Sequence, residues 1–208
     1  MDESHPRPHT KVCPYFPGVD WFLDNPFRRF FLNPDQLLGS LVREGMTVID
    51  LGCGPGMFTL AMAERVGERG QVIAVDLQQG MLDLVKKKAK RKGLAPRIRL
   101  HRNTADSIGL AVQADFILSV YMVHEVSNQE LFFREVHGLL APEGRYLVKE
   151  PIFIGKKAFA GMGAHARSAG LEPLEWVNGR FTHKALFGPQ PGPAVLMRDP
   201  DFGGCPVF

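Results

Sequence analysis

Thr47-Val48-Ile49-Asp50-Leu51-Gly52-Cys53-Gly54-Pro55-Gly56 decides how this chain is read: an apolar, β-branched run enters a turn with glycine at every second position. Thr47, Val48 and Ile49 favour a strand, whereas Phe58, Leu60, Ala61, Met62 and Ala63 beyond the turn suit a helix, so strand, glycine turn and helix follow in order. Glycine lacks Cβ, admits positive φ and lets a ligand approach the main chain at the carboxyl end of a strand.

Spacing bears on which ligand that is. A dinucleotide fingerprint starting at Gly52 needs glycine at position 57, but this chain has Met57 there and its third glycine is Gly56. The next predicted strand, Gln71 to Val75, ends at Asp76, a carboxylate able to accept hydrogen bonds from both hydroxyls of a ribose. Asp76 suits either kind of adenosine cofactor.

Further segments follow in a recognisable order: Thr104-Ala105-Asp106 after a third strand, Ala114 to Tyr121 as a fourth, and Leu139-Leu140-Ala141-Pro142-Glu143-Gly144-Arg145 turning into a fifth. With Asp50 ahead of the G-x-G-x-G turn, this order over residues 34–187 resembles the class I S-adenosylmethionine-dependent methyltransferases. The similarity is to the small-molecule type, including the ubiquinone and menaquinone biosynthesis group. The resemblance implies a Rossmann-like, doubly wound α/β fold, with a mostly parallel seven-stranded sheet, a C-terminal antiparallel hairpin and helices on both faces. It implies S-adenosylmethionine as cofactor, S-adenosylhomocysteine as product, and methyl transfer to a small organic acceptor. By the same resemblance Asp50, Gly52 and Gly54 serve the methionine end, Asp76 the ribose, and Leu77 and Met81 the adenine face. Thr104, Ala105 and Asp106 serve the adenine edge, and the Ser119 backbone the cofactor's amino group. Thr104 departs from the aspartate or asparagine that many relatives carry before the alanine, and Asp106 is the candidate substitute.

Methyl transfer from a sulfonium is an in-line displacement, so a protein mainly positions the nucleophile and removes a proton where one must leave. Tyr121, His124 and Glu125 follow the fourth strand, and His124 titrates in the range suited to a base near neutral pH. Tyr121 and His124 are the catalytic candidates; Glu150, at the end of the fifth strand, is a further one or a brace.

The chain has 208 residues, 45% of them hydrophobic, enough to bury a core in one domain. No apolar run approaches the ~20 residues that cross a bilayer, and Met1 to Lys11 lacks the apolar centre of a signal peptide, so a cytoplasmic address is expected. Cys13, Cys53 and Cys205 are far apart and give neither metal-ligand spacing nor a disulfide framework; no metal is expected. The net charge of +3 is uneven, because Leu84 to Ala105 holds nine of the 25 cations and no acid. Those lysines lie opposite an apolar stripe of Met81, Leu82, Val85 and Ala89, which reads as a solvated helix face. The alternative is an RNA or protein methyltransferase that uses this basic stretch at residues 86–102; another is a non-catalytic, cofactor-binding partner subunit.

Three regions are expected: an aromatic lead over residues 1–33, the methyltransferase domain over 34–187, and a Pro/Gly-rich tail over 188–208. Tyr15, Phe16, Trp21, Phe22 and Phe27 either form a lid over an apolar acceptor or pack as core, and Trp21 to Phe31 reads helical. Asn33 with Pro34 starts a helix facing the core through Leu37, Leu38, Leu41 and Val42. Ser127 to Glu130 reads as a capping box, and Asn178-Gly179 as a hairpin turn with positive φ.

Overall fold

The computed structural model describes residues 32–190. The aromatic cluster from Tyr15 to Phe27, the helical reading of Trp21 to Phe31 and the tail beyond Gln190 lie outside the described residues.

The described chain begins with α1 (Pro34–Leu38), then alternates strand and helix: β1 (Thr47–Leu51), α2 (Met57–Val66), β2 (Gln71–Asp76), α3 (Gln79–Arg91), β3 (Ile98–Arg102). It continues with β4 (Ala114–Val120), α4 (Gln129–Leu139), β5 (Leu140–Pro151), α5 (Gly155–Ser168), β6 (Leu171–Asn178) and β7 (Thr182–Pro189). Short 3-10 turns occupy Ala95–Arg97, Val123–Glu125 and Ile152–Ile154. The strands form one sheet in the order β3-β2-β1-β4-β5-β7-β6. β1 to β5 pair in parallel, while β7 runs antiparallel between β5 and β6. The strand order reverses between β1 and β4, and in such sheets ligands settle beyond the carboxyl ends at that point.

Alternation along each strand divides the core into two layers. Ile49, Ile73, Ile117, Tyr146 and Val148 face Phe133 and Val136 of α4 and Phe159 of α5. Val48, Val72, Phe116, Leu118 and Leu147 face Met62 and Val66 of α2 and Leu38 of α1. Burying each of these large side chains contributes about 1.5–3 kcal/mol. The α3 stripe of Met81, Leu82, Val85 and Ala89 is buried as the spacing requires, while Lys86, Lys87, Lys90 and Arg91 point outward.

Three local expectations are corrected. The helix after Asn33 is capped as expected, its side chain accepting from the Asp35 and Gln36 amides, but it stops at Leu38, where Gly39 turns the chain at φ 41°. α4 is capped by Asn128 rather than Ser127: the Asn128 carbonyl accepts from Leu131 N at 3.0 Å, and Glu130 instead pairs with Arg134 one turn on. In the hairpin neither Asn178 nor Gly179 has positive φ. The loop is longer than a two-residue turn, with Gly179 N donating to Thr182 O at 2.9 Å; a Cβ on Gly179 would lie 2.8 Å from that oxygen, so glycine is needed for close approach. β7 also runs to Pro189, slightly past the expected domain boundary.

Candidate active site

The glycine turn between β1 and α2 is tied to its neighbour strand by Gly52 N and Cys53 N, which both donate to Val75 O at 2.9 Å. Its glycines have different reasons. Gly52 has φ 69°, and a Cβ there would meet Met122 at 2.8 Å. Gly54 has φ 51°, and a Cβ there would meet nothing within 4 Å, so the bare backbone faces open space.

Two buried carboxylates flank this turn. Asp50, on the β1 face turned toward α2, accepts a hydrogen bond from Thr59 Oγ1 at 2.6 Å. Burial, only partly offset by that bond, pushes its carboxyl up to about 7. Asp76, ending β2, accepts from Gly54 N at 2.9 Å through one oxygen and from Gln78 N at 2.9 Å through the other. Burial raises its carboxyl as well, against the lowering effect of these backbone donors. Asp76 thus holds both the glycine turn and the entry to α3, and its remaining lone pairs are available to a ligand.

A cavity opens at the carboxyl ends of the strands. Of the expected cofactor residues it is lined by Asp50, Gly52, Gly54, Asp76, Leu77, Met81, Thr104 and Ala105. Asp106 and Ser119 are not among the lining residues; Ser119 is fully buried in β4, where its hydroxyl accepts from Tyr146 Oη at 3.1 Å. The cavity also has an apolar part, made by Met57 and Phe58 of α2, Val120 at the end of β4, and Met122 and Val126 beyond it. Among the described residues, the lining's ionisable acids are Asp50, Asp76 and Glu125, and it includes no Lys, Arg or His. Such a site suits a ligand with an ammonium and a ribose. Acids in the ionised form disfavour a pyrophosphate beside them.

Beyond β4 the backbone turns sharply. Tyr121 has φ 58°, the single positive value outside glycine among the described residues, and its amide donates to Lys149 O at 2.8 Å. This places Tyr121, Met122 and Glu125 on the cavity wall. His124 is not on that wall; it is partly exposed, and its Nδ1 lies 2.6 Å from Glu150 Oε2. Glu150 is fully buried at the end of β5, and its other oxygen accepts from Val123 N at 2.8 Å. The carboxylate only accepts, so Nδ1 carries the proton and Nε2 is the ring's free base. The Glu150 hydrogen bond raises the His124 pKa, outweighing partial burial.

Some site residues escaped sequence reasoning. Asn103, one place before the adenine-edge segment, lines the cavity, as do Pro55 and Gln78. Asn103 directly precedes the Thr104-Ala105-Asp106 segment, and that adjacency is the signal that could have found it. Among the described residues there is no group of His, Cys, Asp and Glu able to hold a metal. Cys53 is a free, buried thiol, its pKa raised by burial. Most cations of the basic stretch are exposed, Lys92 pairing with Glu64 at 2.8 Å, whereas Arg97 is half-buried and donates to Ala63 O at 3.2 Å. No helix of the described residues is long and apolar enough to cross a membrane.

Comparison with known proteins agrees with this geometry. Residues 48–144 match the family described as "Methyltransferase domain". The demethylmenaquinone methyltransferase of Lactobacillus johnsonii is 32% identical over 146 residues, which are 68% of this chain and 58% of that protein. The ubiquinone/menaquinone biosynthesis C-methyltransferase of Klebsiella pneumoniae is 31% identical over 112 residues, 53% of this chain and 45% of that one. The chain therefore spans about half the length of the curated relatives it matches. In fold it is similar to a SAM-dependent methyltransferase from Aquifex aeolicus, with a TM-score of 0.74 and 23% identity over 84% of this chain and 98% of the other. Residues 48–144 are thus a methyltransferase domain, and the chain has the fold of the class I S-adenosylmethionine-dependent methyltransferases and is similar to their ubiquinone and menaquinone biosynthesis group.

Proposed function

We propose that this chain binds S-adenosylmethionine in the cavity at the carboxyl ends of β1, β2 and β4 and transfers its methyl group to a small organic acceptor. The observation that carries the reading is the pair of buried acids, Asp50 and Asp76, on either side of the open backbone at Gly54. When bound, the sulfonium supplies a methyl carbon open to displacement by an acceptor nucleophile. Asp50, with the backbone around Gly52 and Gly54, receives the ammonium end. Asp76 accepts from the ribose hydroxyls, Leu77 and Met81 cover the adenine faces, and the Thr104–Ala105 backbone meets its edge. Asp106 and the Ser119 backbone contribute from outside the lining, at the adenine and ammonium ends.

At the acceptor end, Tyr121 and Met122 position the nucleophile and exclude water. His124 receives the proton that the acceptor gives up, at Nε2, while Glu150 keeps the opposite nitrogen protonated and steadies the imidazolium. The names of the relatives support a quinone-type ring as acceptor, and the apolar wall of Val120, Met122 and Val126 is compatible with one.

Calorimetry tests the cofactor: binding of S-adenosylmethionine and S-adenosylhomocysteine without binding of NAD is expected, and the reverse would overturn the reading. Methyl-donor consumption over a panel of small quinol, phenol and amine acceptors tests the activity. Cofactor binding without turnover on any acceptor would favour a non-catalytic partner subunit. Turnover on RNA, falling steeply with salt, would favour the basic stretch as the acceptor surface.

A further inference from the structure

The cleft has an apolar rim that its own chemistry does not use. Phe153 is 77% exposed, Phe181 66% and Ile152 42%, where most large apolar side chains of the described residues are buried. They form one patch, because Ile152 N donates to Phe181 O at 3.2 Å, joining the end of β5 to the loop before β7. β7 runs antiparallel to β5, so its start lies at the same carboxyl edge of the sheet as the cavity. The patch also touches the acceptor side: the Phe153 ring meets His124 edge-on, with centroids 5.7 Å apart.

The exposed charges on the segments that carry the patch are cations. Lys156 and Lys157 are exposed on the first turn of α5, directly after the Ile152–Ile154 turn, and no Asp or Glu occurs from Pro151 to Gly170. The exposed Arg180 holds its guanidinium 5.6 Å from the Phe181 ring centroid. These lysines sit at a helix N-terminus, where the backbone dipole favours acids rather than cations, so local helix stability does not account for them. Exposed aromatic rings within a ring of cations are what an interfacial surface needs: apolar groups that enter the acyl boundary and cations that meet anionic headgroups.

We propose that Ile152, Phe153 and Phe181, with Lys156, Lys157 and Arg180, form a docking surface for an anionic phospholipid bilayer, which sets the mouth of the cleft against the lipid. The surface deepens the proposed function by giving an apolar acceptor a route from the bilayer, but docking itself requires no methyl transfer.

Co-sedimentation of the full chain with vesicles tests it. Vesicles of phosphatidylcholine mixed with phosphatidylglycerol are expected to carry the protein down, vesicles of phosphatidylcholine alone to carry far less, and added salt to release it. Phe153→Ser with Phe181→Ser is expected to lower the partition by on the order of tenfold per ring. Lys156→Glu with Lys157→Glu is expected to lower it at least about fivefold per lysine. S-adenosylhomocysteine affinity should stay unchanged in both double variants, which separates lost docking from lost folding. If the wild type sediments with vesicles but binds no S-adenosylhomocysteine, docking stands and the cofactor reading falls. The proposal is overturned if the wild type ignores both vesicles, or if both double variants partition like the wild type. It is overturned too if light scattering shows a dimer that the phenylalanine variants abolish, because the patch then joins two copies of the chain.

Discussion

Buried acids lining the cleft and those behind its wall are held in opposite ways. At the β1–β2 end, Asp76 is satisfied by backbone amides, Gly54 N and Gln78 N, and Asp50 by a hydroxyl one helix turn beyond the glycines. At the β4–β5 end, Glu150 is satisfied by one amide and by the ring of His124, which comes from a different strand connection. The first arrangement holds the backbone of the glycine turn in shape. The second couples a carboxylate to a group that can take up a proton. On the proposed function the first end recognises and the second reacts, and each makes its own predictions.

The largest effect should come from the reacting end. His124→Ala is expected to lower kcat by on the order of 10²–10⁴-fold while leaving S-adenosylhomocysteine affinity unchanged, measured by single-turnover methyl transfer beside calorimetry. Glu150→Gln adds a sharper readout. The Gln carbonyl keeps the Val123 amide, so its NH₂ faces His124 Nδ1 and forces the proton onto Nε2, the position that must accept. Activity in the wild type should rise with pH through a value above 6.5, since the Glu150 bond raises the His124 pKa. In Glu150→Gln that limb should move to lower pH and kcat should fall, with KM little changed. An unmoved limb would separate His124 from the chemistry.

The recognising end should answer in affinity instead. Asp76→Ala removes two bonds to ribose, a loss of about 3 kcal/mol or roughly a hundredfold in cofactor affinity. Calorimetry on the folded variant checks this, and equal affinity would reject the role of Asp76.

Most of the recognising end was legible because backbone chemistry writes itself into residue types. Glycine at alternate positions, β-branched strands and an acid at a strand end follow from local geometry, so β1 to β5, the α3 stripe and Gly52, Gly54 and Asp76 were found from local pattern alone. The reacting end depends on contacts between distant segments. His124 and Glu150 are 26 residues apart and meet only because β4 and β5 lie side by side, so His124 and Glu150 appeared as separate candidates, Glu150 either catalytic or a brace, and their pairing was not legible. Caps and turns slipped by one residue for a related reason. Ser127 and Asn128 both cap well, and tertiary entry into α4 chose between them. In the loop after β3, Asn103 joins Thr104 and Ala105 in the lining, a neighbour that the residue pattern alone did not single out.

Asp50 ties the recognising end to stability. Its carboxyl is pushed up to about 7 in the folded chain, against about 4 when unfolded. Between these values the folded state holds a proton that the unfolded state has lost, so this group makes stability fall as pH rises from about 4 to about 7 and level off above. Asp50→Asn should flatten that slope and stabilise the protein by on the order of 1–3 kcal/mol at neutral pH, read from thermal melts across pH. An ammonium favours the ionised acid, so wild-type affinity for S-adenosylhomocysteine should strengthen toward pH 7, with proton release seen in buffers of different ionisation heat. The Asn variant should bind weakly and without that dependence.

The smallest effect tests whether the reacting end is limited to His124. His183 lies directly opposite Glu150 in the β5–β7 ladder, fully buried and stacked on Phe159 with ring centroids 5.1 Å apart. Neither ring nitrogen has a hydrogen-bond partner among the described residues, and both Glu150 oxygens are already taken by Val123 N and His124. A buried polar group without a partner costs about 1–3 kcal/mol, so His183→Leu should raise stability by about 1 kcal/mol, or a Tm gain of roughly 2–4 °C. Activity and its pH profile should not change, in contrast to His124→Ala. A lower Tm with a displaced pH limb would show instead that His183 shares the proton of the Glu150 pair, making the reacting end a chain of three groups.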